Sequence, residues 1–184
     1  MFRIERGSSA IELVKGDITQ STTTAIANAA NAMLMGGGGV DGAIHRAAGP
    51  ELRQALQRIK QQLPGGVLET GKCVLTPGFG LQAKYVIHCV GPIFDREGED
   101  APGLLASCYR NALELCREHR IDSVAFPSIS TGVYGYPVAD AAKVALAAVS
   151  AALAGSSVPA LCRFLLFDDA TLDAYWQAAQ AIEV

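Results

Sequence analysis

Basic charge is not in excess over these 184 residues: 15 Lys and Arg stand against 18 Asp and Glu, a formal net charge of −3. A row of phosphates in nucleic acid, or an anionic membrane, needs a positive field to gather it, so neither is expected as a general partner. The three histidines, His45, His88 and His119, are scattered and no Cys-x-x-Cys occurs. No metal-ligand spacing therefore appears, and no metal or cofactor is expected. The cysteines are odd in number (Cys73, Cys89, Cys108, Cys116, Cys162), and all but Cys73 fall in apolar strand or helix patterns. They read as buried free thiols in a reducing compartment. No apolar run is long enough to span a bilayer; the alanine-rich stretch from Val138 carries Asp140 and Lys143 and stops at Gly155. The start Met1-Phe2-Arg3-Ile4-Glu5-Arg6 lacks the apolar segment of a signal peptide, so a cytoplasmic protein is expected. Repeats, linkers and low-complexity tracts are also missing. One domain over residues 1–184 is expected, acting as a monomer, and a chain of this size buries roughly 70% of its unfolded surface.

What the chain does have is glycine in one place. Gly36, Gly37, Gly38 and Gly39 run directly into Val40-Asp41-Gly42, where a helical pattern begins. Glycine lets backbone N–H groups approach an anion closely, and a helix start adds unsatisfied N–H groups and the positive end of a dipole. Gly37, Gly39 and Gly42 satisfy G-x-G-x-x-G, but a dinucleotide fold needs an acidic residue about 20 positions on. Between Leu52 and Leu68 the only charged residues are Arg53, Arg58 and Lys60, and Pro64-Gly65-Gly66 breaks the stretch where the strand should run. That reading fails, and no G-x-x-x-x-G-K-[ST] is present either.

A second anion-suited loop lies downstream. Residues 123–126 read as a buried strand, 127–137 as a Gly/Ser/Thr turn, and 138–153 as a helix with Pro137 at its start. Residues 128–137 contain no Lys or Arg, and residues 36–49 only Arg46. An anion held here is held by N–H dipoles and hydroxyls, which suits one enclosed diphosphate rather than a polyanion. Ser128 and Ser130 lack a G-x-S-x-G context and read as donors, not nucleophiles. Strands are expected near 2–5, 11–15, 25–27, 72–76, 85–89, 123–126 and 163–167. Helices are expected near 42–48, 50–61, 102–119, 138–153 and 170–182, the last capped by Asp168 or Asp169. Apolar interior strands alternating with helices indicate an α/β fold, a three-layer α/β/α domain.

Four motifs in order carry a resemblance: Gly16-Asp17-Ile18-Thr19, Asn28-Ala29-Ala30-Asn31, the glycine loop, and Ser130-Thr131-Gly132-Val133-Tyr134-Gly135. Over nearly its whole length the chain resembles a macro domain, of the MacroD type that includes bacterial O-acetyl-ADP-ribose deacetylases. The resemblance implies a central mixed sheet with the ligand, ADP-ribose, along its C-terminal edge. It implies that Asp17 accepts from the adenine amino group and the Ile18 N–H completes that edge, while Phe167 packs on the ring. Ser128, Ile129, Ser130, Thr131, Gly132, Val133 and Tyr134 would wrap the diphosphate. Asn28 is also placed in the ligand site, and Asn31, Gly37, Gly38, Gly39 and Val40 would enclose the distal ribose.

The resemblance makes Asp41 and Asn31 the catalytic pair, with Asp41 orienting water toward an ester at the distal ribose and Asn31 holding sugar hydroxyls. Substrates so implied are O-acetyl-ADP-ribose and mono-ADP-ribosylated proteins; a non-catalytic reader of ADP-ribose is the alternative. Plainer readings stand beside these. Asp41 could be the N-cap of a helix starting at Gly42, Asp17 a turn cap, and Phe167 a core residue. His45, four residues after Asp41, is expected to be a surface or packing histidine, the other choice being a pair with Asp41.

Overall fold

Apolar side chains pointing alternately to the two faces of the strands set the layers. In a computed structural model, which describes residues 2–182, the order is β1 (Phe2–Arg6), β2 (Ser9–Lys15), β3 (Ala25–Ala30), α1 (Gly39–Ala48), α2 (Pro50–Gln62), β4 (Cys73–Pro77) and β5 (Tyr85–Val90). It continues through α3 (Phe94–Glu97), α4 (Ala101–Glu118), β6 (Ser123–Phe126), α5 (Val138–Leu153), β7 (Leu161–Leu166) and α6 (Asp169–Gln180). Met1, Glu183 and Val184, part of the unit expected over 1–184, lie outside the described residues.

The strands form one mixed sheet in the order β1-β2-β7-β6-β3-β5-β4. The five inner strands run parallel, and β1 and β4 close the edges antiparallel. Ile26, Ala30, Val86, Val90 and Ala125 lie under Ile44, Ala48, Leu52 and Leu56 of α1 and α2. Their neighbours Ala25, Ala27, Ile87, Cys89, Val124 and Phe126 face the opposite way, toward α4, α5 and α6. Helices on both faces explain the near-continuous apolar strands and make the three-layer α/β/α arrangement. Tyr109 of α4, Phe126, Phe164 and Tyr175 of α6 stack in a chain with ring centroids 5.1–5.9 Å apart. Each such buried ring contributes about 1.5–3 kcal/mol, and together they floor the loop that follows β6.

Two expectations are corrected. Helix α1 begins at Gly39, not Gly42, because Gly38 takes the cap position and Gly39 turns in at φ 55°. Asp41 therefore sits inside the first turn and is not an N-cap. Phe167 falls just past β7 and is 80% exposed, so it is not a core residue. At the last helix, Asp168 is the cap, its Oδ1 accepting from the Thr171 N–H at 2.7 Å.

Candidate active site

Strand β3 sends the chain to α1 on one face of the sheet, and its parallel neighbour β6 sends it to α5 on the other. The C-terminal ends of two such strands part, and ligands of open α/β sheets bind in the crevice between them. A cleft of ≈ 300 Å³ opens there, lined by residues 29–31, 37–41, Gly91, 128–130 and 132–134. Both glycine-punctuated loops meet in it.

The first loop is held from within. Asn31 donates from Nδ2 to the Gly36 carbonyl at 2.9 Å and accepts at Oδ1 from the Met35 N–H at 3.4 Å. Gly42, one turn later, is fixed by close approach: a Cβ there would stand 2.5 Å from the Gly37 carbonyl oxygen. The first-turn N–H groups of α1 have no helical partner, and residues 39–41, which carry them, line the cleft.

Asp41 is 5% exposed, and two groups hold its Oδ1: Asn28 Nδ2, donating at 2.7 Å, and His45 Nε2 at 3.3 Å. Burial raises its pKa above the ordinary carboxylate value, against the opposing pull of Asn28 and His45. A carboxylate in this state is a better base than an exposed one and keeps Oδ2, on the Gly37 side, for the cleft. His45 is thus the partner of Asp41 rather than a surface histidine, its ring also packing beneath Gly36.

The second loop is strained and braced. Ser130 sits at φ 68°, a region that costs a non-glycine residue energy, and its buried Oγ has no partner among the described residues. Tyr175 donates to Ser128 Oγ at 3.1 Å, and Tyr109 accepts the Ile129 N–H at 3.4 Å. Tyr136 N–H closes on the Ser130 carbonyl at 3.0 Å, and the Tyr134 carbonyl takes Phe94 N–H at 2.9 Å. Val133, fully exposed, forms the outer lip. Because Ile129 spends its N–H on Tyr109, it gives the cleft an apolar wall instead of a donor.

Not all the expected residues gather here. Asp17, Ile18 and Phe167 lie beyond this lining at the paired ends of β2 and β7, where Gly16 N–H meets the Leu166 carbonyl at 3.0 Å. Asp17 does cap a turn, its Oδ1 accepting from Thr19 N–H and Oγ1 at 2.9 and 2.8 Å. Asn28 is fully buried behind Asp41 and does not line the cleft. Gly91, Tyr109 and Tyr175 escaped the sequence reading, and His88 entered it only as one of three scattered histidines; of these, only the Gly91-Pro92 step after an apolar strand carried a local signal. Among the described residues no group of three or more His, Cys, Asp or Glu could hold a metal ion, and no helix is long and apolar enough to cross a membrane.

A mixed α/β sheet with two anion loops and one buried carboxylate at its switch point defines a class of clefts built for small phosphorylated ligands. The macro domain family model matches residues 27–145. The chain is 49% identical over 168 residues to the O-acetyl-ADP-ribose deacetylase of Salmonella typhimurium, covering 91% of this chain and 93% of that one. A solved Oceanobacillus iheyensis macrodomain with ADP matches at TM-score 0.96 and 44% identity, over 99% of this chain and 96% of that one. The Trypanosoma brucei macrodomain in complex with ADP-ribose matches at TM-score 0.80 and 39% identity, over 92% and 68%. The chain belongs to the macro domain family.

Proposed function

We propose that the cleft binds ADP-ribose and that the chain hydrolyses ester-linked derivatives of it: O-acetyl-ADP-ribose, and mono-ADP-ribose carried on protein Asp or Glu. The observation that carries the hydrolytic part is Asp41, a buried carboxylate with a raised pKa whose Oδ1 is engaged and whose Oδ2 faces the glycine loop. Oδ2 orients a water and draws on its proton. The water oxygen bonds to the ester carbonyl carbon, the bond from that carbon to the ribose oxygen breaks, and the ribose oxygen takes up the proton that Oδ2 drew from the water.

In this reading Asn31, with Gly37, Gly38, Gly39 and Val40, encloses the distal ribose, and Tyr134 borders it. Ser128, Ser130, Thr131, Gly132 and Val133 wrap the diphosphate against the Ile129 wall. Asp17 and Ile18 take the adenine edge and exposed Phe167 its face, while Asn28 serves behind Asp41. The same proposal takes the chain as one domain, monomeric and cytoplasmic, working without metal; its five thiols are all free.

Asp41→Asn tests the reading. Asn keeps an Oδ1 acceptor for Asn28 and His45 but has no charge, so the variant should fold and bind ADP-ribose. Turnover of O-acetyl-ADP-ribose should fall about 10²–10⁴-fold, the usual worth of a general base. Parent-like turnover would remove Asp41 from catalysis. If the parent binds ADP-ribose tightly yet hydrolyses neither ester, the chain is a reader instead.

A further inference from the structure

One polar row crosses the otherwise apolar sheet face beneath α1. Asn28 of β3 and His88 of β5 are directly paired in register, and Thr76 lies on the next strand, β4. All three are buried, Asn28 and His88 completely. His88 Nε2 lies 3.0 Å from Thr76 Oγ1, and His88 Nδ1 lies 3.1 Å from Asn28 Nδ2, the same amide nitrogen that donates to Asp41 Oδ1. A polar chain thus runs from an edge strand to the carboxylate in the cleft.

The donors and acceptors along it decide its direction. An amide nitrogen only donates, so His88 Nδ1 facing it must accept, and the ring proton sits on Nε2, donating to Thr76. Complete burial pushes the His88 pKa down to about 3, so the ring is neutral. With the amide turned over, the Asn28 oxygen would face the Asp41 carboxylate, acceptor against acceptor. We propose that His88, fixed by Thr76 as the Nε2–H tautomer, is a positioning residue that holds the Asn28 amide with its donor toward Asp41 and so keeps that carboxylate ionised and aimed. This rests on the reading of Asp41 given above. The titratable groups near Asp41 are His45 on its own helix and Tyr134 from the loop after β6; His88 of β5 reaches it only by way of Asn28.

Isosteres separate positioning from mere packing. The Asn amide oxygen can stand where Nδ1 does, so His88→Asn keeps an acceptor for Asn28; Gln reaches only the Nε2 position, so His88→Gln does not. His88→Gln is expected to lose about 10–100-fold in kcat, as is usual when the partner of a functional ligand is removed. KM should stay near the parent value, since His88 does not line the cleft, and the acid limb of kcat should move to higher pH. His88→Asn should restore kcat and the pH profile. If the folded Gln variant keeps parent kcat, or both variants lose kcat alike, the inference is overturned. Nitrogen-15 histidine NMR on the parent needs no variant to fold: Nδ1 should be unprotonated and insensitive to pH from 5 to 8 (about the range in which an ordinary His titrates). A protonated Nδ1 would sink the proposal. Should Asp41→Asn turn over normally, the reading of Asp41 fails first; should it be inert while His88→Gln is parent-like, only this inference fails.

Discussion

Gly91→Ala probes the cleft by adding a single methyl. Gly91 follows β5 and touches the second loop so closely that a Cβ would stand 2.6 Å from Ile129 Cγ2 and closer still to Ser130 Oγ. Ordinary carbon contacts lie near 3.5–4.0 Å, so residues 129–130 must retreat by about 1 Å. They have little freedom to do so. The Tyr109–Phe126–Phe164–Tyr175 stack lies below, Tyr136 N–H holds the Ser130 carbonyl, and Ser130 is already left-handed at φ 68°. Overpacking of this kind costs about 1–3 kcal/mol. The displaced segment is the one assigned to the diphosphate, and donors moved by about 1 Å lose most of their directional value.

Isothermal calorimetry with ADP-ribose should therefore show Kd weakened about 10–100-fold, or ~1.4–2.8 kcal/mol. Thermal unfolding should show a Tm lower by a few degrees, about 2–4 °C for each kcal/mol lost. Adding Ser130→Gly removes the nearest obstacle and the φ penalty together, so the double variant should regain stability relative to Gly91→Ala. A Gly91→Ala protein that binds ADP-ribose and melts like the parent would refute the claim that this contact shapes the ligand loop.

Asp17→Ala should weaken ADP-ribose binding by about 1–3 kcal/mol by calorimetry, the cost of an unmatched polar partner, and unchanged affinity would remove Asp17 from the adenine edge. Turnover should survive excess chelator; loss of activity restored by zinc or magnesium would end the metal-free proposal. Asp41 also sets a pH dependence. Its folded pKa lies above the unfolded value of about 3.9, so its stabilising contribution is present below that value and lost as pH rises through the folded one. Melting curves should show Asp41→Asn gaining on the parent as pH rises from about 4 toward neutrality, and the opposite slope would mean that burying this charge is not costly.

Much of this was legible because the signals were local. Strand β6, the polar turn and α5 were placed from a four-residue apolar run, a Gly/Ser/Thr cluster and Pro137, and the structure has β6 and α5 within the same bounds. The start of α1 was misplaced by three residues because Gly39 enters the helix at positive φ, a freedom that composition permits but does not announce. The resemblance places Asn28 in the ligand site as part of the motif that ends at Asn31. Strand alternation in β3 turns their roles apart, aiming Asn28 down at His88 from β5, sixty residues away. Pairing across strands has no trace in a single sequence, and the row Thr76–His88–Asn28 was invisible for that reason.

Several costs in this molecule fall where the two loops meet, although Phe79 and Arg120 are also left-handed and Gly78 also lacks room for a Cβ. A left-handed serine, a buried carboxylate with a raised pKa, an unpartnered hydroxyl and glycines without room for a Cβ all fall within or directly behind one cleft. Away from it, α4 and α5 bury smooth apolar faces without such penalties. Packing alone would not select the serine and the carboxylate, because both have a cheaper substitute: glycine at 130 and a neutral side chain at 41. Strain of this kind persists where the surrounding structure enforces it and a ligand or reaction makes use of it. The cheaper substitutes at 41 and 130 should accordingly raise stability while lowering turnover or affinity.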